Sequence, residues 1–168
     1  MNNKKILFDE WCSDDTLTLF DYFKEKSATD YNLKTILTDL HLFDKLGQDQ
    51  IHNGADLFYT TVMPDGRELT SDFDIAIDVV IDLSAILLET FRKGRITLKD
   101  LYKYERKDYP AFTIHADKED LDLLLNELKA FTTNPTHYNL AEMMSSDELI
   151  ELAADCNNVY EEIQCLKQ

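Results

Sequence analysis

Between Ser71 and Lys93 apolar residues return every three or four positions, and the run closes on Gly94. On a helix of 3.6 residues per turn, Phe73, Ile77, Val80, Ile81, Ser84, Leu87, Leu88 and Phe91 share one side, while Asp74, Asp78, Asp82 and Glu89 fall on the other. No other segment limits the fold as strongly. So broad an apolar side must be covered by further elements.

Those elements are legible on either side of it. Ser13 or Asp15 is placed to cap a helix running to about Lys26, with Leu17, Phe20 and Phe23 turned inward. Asp30 would cap a second helix carrying Leu33, Ile36, Leu37, Leu40 and Phe43, which Gly47 stops, so the pair reads as a helical hairpin. Lys4 to Phe8 reads either as a short strand or as the lead-in to the first helix. Leu57 to Val62 is β-branched and aromatic, and Met63-Pro64-Asp65-Gly66 has turn chemistry, which predicts a small hairpin returning through Arg67 to Leu69. Downstream, Thr97 and Asp100 start a short helix, Ala111 to His115 reads as a strand, Asp117 caps a helix ending at Asn134-Pro135, and Ser145 caps a terminal one. The prediction is a mainly α (α+β) fold, residues 1–168 as one domain of about six helices with a small β-hairpin or minor sheet.

The charge is lopsided. A net −16 arises from 33 acidic and 17 basic residues. Segment 92–107 holds seven bases against Asp100 and Glu105, a surplus of five that leaves −21 on the remainder. Such a field repels nucleic acid and anionic membrane and speeds encounter with basic partners. Interleaved with Tyr102, Tyr104 and Tyr109, the basic stretch is read as an internal complement to the acidic helix beside it rather than as a grip for single strands. Cys12, Cys156 and Cys165 form an odd set with no paired spacing, which points to a reducing compartment. Ile6-Leu7-Phe8 is too short a run for a signal peptide, so the expected location is the cytoplasm.

Catalytic signatures are missing. Four glycines build no phosphate cradle, and His41, His52, His115 and His137 have no metal-ligand spacing, so neither a cofactor nor a metal is expected. His115, two residues before Asp117, is the one histidine worth inspecting as a base. Cys156 and Cys165, on or near the apolar side of the last helix, read as buried and structural, and the pairs Asp14-Asp15 and Glu161-Glu162 as surface. Asp74, Asp78 and Asp82 stand one turn apart, where like charges repel by a few tenths of a kcal/mol per pair. Retained for a basic partner, these three would be the binding face, with Trp11 in its charged setting as an added anchor.

In size, acidity and lack of catalytic motifs the chain resembles bacterial immunity proteins that neutralise basic nuclease toxins, although no signature residue carries the likeness. That resemblance implies a non-enzymatic inhibitor masking the active or nucleic-acid-binding surface of a basic toxin. Two alternatives stand beside it. An acidic secretion chaperone would need an exposed apolar strip, and a small enzyme would need His115 and two acids converging in a deep pocket.

Overall fold

The computed structural model describes Phe8 and residues 12–167. Among these residues six α-helices and four strands follow in the order α1 (Asp14–Lys26), β1 (Asp30–Asn32), α2 (Leu33–Asp39), β2 (Phe58–Val62), β3 (Glu68–Asp72), α3 (Ala76–Lys93), α4 (Leu98–Leu101), β4 (Thr113–His115), α5 (Lys118–Thr133) and α6 (Ser146–Leu166). The strands make a parallel pair, β1 with β4, and an antiparallel hairpin, β2 with β3. The chain is mainly α with a minor β part, as its sequence predicts. No helix among the described residues is long and apolar enough to cross a membrane.

The core is built on α3. Every residue from Ala76 to Thr90 is buried, with α1, α5 and α6 packed against the helix and the Asp49–Asn53 turn also touching it. Its buried hydroxyls bond back to the helix: Ser84 donates to the Val80 carbonyl at 2.7 Å and Thr90 to that of Leu87 at 2.8 Å. Ser71 and Asp72, predicted to open this helix, instead end β3. The Phe73 amide donates to the Leu57 carbonyl at 2.9 Å, so the hairpin ladder outlasts the predicted helix start.

The predicted helical hairpin is also different. Between α1 and α2 lies β1, in register with β4 as Asp30 to Thr113, Tyr31 to Ile114 and Asn32 to His115. Asn32 rather than Asp30 caps α2, its side-chain oxygen accepting from the Thr35 amide at 3.3 Å. The helix stops at Asp39, well before Gly47, because His41 turns the chain at φ +60°. Phe23 of α1 stacks on Phe112 at 5.0 Å and meets Tyr31 edge-on at 5.0 Å, which fastens the strand pair to the helices.

Gly54 joins the Asp49–Asn53 turn to the hairpin at φ +80°. A Cβ there would stand 3.2 Å from the backbone carbonyl oxygen of Asp74, at the approach to α3. Gly54→Ala combines an unfavourable φ with that close contact, and a urea titration is expected to show a loss of about 1–2 kcal/mol.

Candidate functional site

Asp15 lies on the buried side of α1 with Leu19 and Tyr22, four and seven residues on. Its carboxylate accepts the backbone N–H of Asp74 at 2.8 Å and that of Ile75 at 2.9 Å, pinning the loop between β3 and α3 to the first turn of α1. In the first turn of α3 stands Asp78, and one turn on Asp82, whose Oδ2 accepts the Thr16 hydroxyl at 2.8 Å. The three carboxyls are 3%, 2% and 0% exposed. Asp78 Oδ1 and Asp82 Oδ1 have no hydrogen-bond partner.

A carboxylate cluster removed from water holds its protons. Burial, and then the charge of Asp15, pushes the Asp78 carboxyl up to about 7. Asp82 is driven well above the usual carboxylate range by complete burial and by Asp78. Burial also raises Asp15, but its two backbone donors work the other way. The negative charge therefore rests best on Asp15, where donors meet it. Neighbouring thiols respond in the same sense: burial and nearby carboxylates raise Cys156 well above its ordinary value, and burial followed by Asp82 and Asp14 raises Cys12. Neither is an activated thiolate. No group of three or more His, Cys, Asp or Glu among the described residues is arranged to hold a metal ion.

The exposed stripe predicted from Asp74, Asp78 and Asp82 is thus corrected. Asp74 alone reaches solvent; Asp78 and Asp82 are sealed between α1 and α3. Ala85 and Ile86 lie on the same side of α3 as the two aspartates, and a helix apolar all round is an interior helix. Trp11 lies outside the described residues.

An acidic stripe does exist, on α1 instead of α3. Asp14, Leu17, Asp21 and Glu25 recur along the exposed side of α1, so Leu17 faces outward and not inward as predicted. Of the Asp14-Asp15 pair read as surface, only Asp14 is. The Thr61 hydroxyl of β2 donates to Glu25, which sets the hairpin beside this side of α1. Asp21 shares Lys24 with Glu105, at 3.7 and 2.7 Å. Asp74 continues the acidic face into the loop that Asp15 holds.

Other predicted features are placed as follows. His115 does not meet two acids in a deep pocket: its side chain is 66% exposed and bonds Asp30 alone, at 3.0 Å, with Arg95 on the same carboxylate at 3.1 Å. That His115 hydrogen bond, ahead of the other contacts, lowers the Asp30 carboxyl. Much of the basic stretch is matched within the chain, Arg92 to Glu89 and Glu162 at 2.6 Å each, Lys93 to Glu89 at 3.7 Å, Lys99 to Asp108 at 2.6 Å. Cys156 is buried as predicted, whereas Cys165 and Cys12 are exposed. Another buried acid escaped the sequence reading: Glu127 of α5 accepts the Tyr138 hydroxyl at 2.6 Å and the Gly47 amide at 2.7 Å beside a cavity of about 250 Å³.

Comparison with known families places the chain in the immunity class. It belongs to the family described as immunity protein 68, which it matches over residues 10–163. Neither a curated protein nor a solved structure matches it. Family membership implies a toxin as the partner.

Proposed function

We propose that the chain is a non-enzymatic inhibitor that neutralises a basic nuclease toxin by covering its active or nucleic-acid-binding surface. The observation that carries this reading is the acidic outer face of α1, with Asp14, Asp21 and Glu25 around Leu17 and with Asp74 on the adjoining loop, in a chain of net charge −16. Acidic side chains on one face offer a basic protein what the phosphates of its substrate offer, and Leu17 gives that contact an apolar centre. Trp11, three residues before Asp14 in the sequence, is proposed as an added anchor for the partner. Asp82 acts from inside, its Oδ2 accepting the Thr16 hydroxyl and so tying α3 to α1.

The toxin to use is the domain encoded by the reading frame immediately upstream of this gene. Reversing Asp14, Asp21, Glu25 and Asp74 to lysine is expected to slow association by about 10–100-fold at low salt and to flatten its salt dependence, with a smaller change in dissociation. Stopped-flow mixing at several salt concentrations measures both. An unchanged association rate with an unchanged salt slope rules this face out.

The chaperone alternative asks for a continuous apolar strip. Among the described residues the most exposed large apolar side chains, Val62, Leu69, Tyr104, Met143 and Ile150, are distributed over the hairpin, the 102–109 segment, the Asn139–Met143 turn and α6. That distribution favours the inhibitor.

A further inference from the structure

In the hairpin, β3 has β2 as its sheet neighbour on one side and nothing on the other among the described residues. Two backbone bonds fix the phase of the ladder: Phe73 donates to Leu57 at 2.9 Å and Met63 to Arg67 at 2.8 Å. Bonded and non-bonded pairs alternate in an antiparallel ladder. With Thr61 opposite Leu69 and Tyr59 opposite Ser71, the main-chain groups of Leu69 and Ser71 turn toward β2. Those of Glu68, Thr70 and Asp72 turn outward, and all three residues are exposed.

An open strand edge is a template for another strand. Its side chains select which one. Glu68 and Asp72 flank Thr70 on one face of the hairpin, Asp74 follows, and no base lies between residues 68 and 74. A second copy paired antiparallel across this edge would bring Glu68 and Asp72 of one chain against the same acids of the other, which is unfavourable. A strand with lysine or arginine at alternate positions would meet them with opposite charge, since residues two apart share a face.

We propose that the outer edge of β3 is where the toxin docks main chain to main chain: an extended segment of the toxin, basic at alternate positions, adds as a third strand beside Glu68–Asp72. This rests on the inhibitor reading above, and it assigns to the hairpin the register of the complex, while the α1 face supplies long-range attraction.

The test uses the intact chain and the same upstream-encoded toxin domain. On complex formation the Glu68, Thr70 and Asp72 amides are expected to exchange with deuterium at least about 10-fold more slowly, while Leu69 and Ser71, already bonded to β2, change less. Thr70→Pro removes one outward N–H and no ladder bond, so it is expected to keep the fold and weaken binding about 10-fold or more. Thr70→Ala keeps the N–H and is expected to stay within about 3-fold of the parent. If the complex forms and growth is rescued, yet the three amides exchange as in the free chain, strand addition is overturned and the inhibitor reading stands. Should the parent chain neither bind nor neutralise the domain, both fall. Were Thr70→Pro to unfold, the exchange pattern of the parent chain decides.

Discussion

Asp78→Asn is expected to stabilise the protein by about 2–4 kcal/mol at pH 8 and to leave it almost unchanged at pH 4. The Asp78 carboxyl titrates near 7 in the folded chain because burial and the Asp15 charge oppose its ionisation. In the unfolded chain it titrates near the ordinary value of about 4. Between those pH values the folded state holds a proton that the unfolded state has released, so this group makes stability fall as pH rises from about 4 to about 7. Above 7 the penalty is complete and constant; below 4 it is gone. Three pH units at roughly 1.4 kcal/mol each set a ceiling of about 4 kcal/mol, and the need to satisfy a new amide N–H pulls the net gain lower. Asn cannot ionise, and Asp82 Oδ1, one turn further along α3, is an acceptor without a donor. The other titratable groups facing the site, Asp15, Asp82, Cys12 and Cys156, all act as acids, so none supplies a counter-cation. Urea titrations at pH 4, 6 and 8 give the result directly. Equal effects at all three would mean that the Asp78 carboxyl titrates alike in the folded and the unfolded chain.

The same residues explain how far the sequence could be read. Periodicity found α1, α3, α5 and α6, since each buries an apolar stripe that leaves its mark at spacings of three and four. It missed β1, because three residues, Asp30-Tyr31-Asn32, are too few to show alternation and their partner lies 83 positions away at Thr113. Charge misled the reading of α3. Aspartates one turn apart look like a wet face, yet Val79, Leu83 and Ile86 leave that helix no polar side. Whether an acid is sealed depends on what packs over it, and here that is Thr16 and Asp15 of a helix some 60 residues earlier. A signal was nonetheless present at Asp15: it stands four residues before Leu19, inside the apolar stripe of α1, while Asp14 points away. The hairpin was visible through its turn, but not the free outer edge of β3, which follows from tertiary placement alone.

Asp15→Ala is expected to act in the opposite sense, costing about 2–4 kcal/mol at pH 7. Two effects compete at this residue. Its removal takes a negative charge from beside Asp78 and Asp82, which eases their ionisation and is favourable. It also strips the acceptor from two backbone N–H groups at the approach to α3, bonds of 2.8 and 2.9 Å to the Asp15 carboxyl. Such bonds are worth roughly 1.5–3 kcal/mol each, more than the relief of one repulsion in a site where Asp82 holds its proton and Asp78 is only about half ionised at pH 7. The cap therefore wins. Asn is a poor substitute, because one of its two polar atoms is itself a donor and would face a backbone N–H, so Asp15→Asn is expected to lose nearly as much. Binding should suffer as well: Asp15 holds Asp74 and Ile75 where β3 ends and α3 begins, and through them it fixes the hairpin relative to the acidic side of α1. Thermal unfolding combined with toxin titration separates the cases. A more stable Asp15→Ala protein would mean that repulsion within the cluster outweighs the cap, and that α3 is positioned by packing alone.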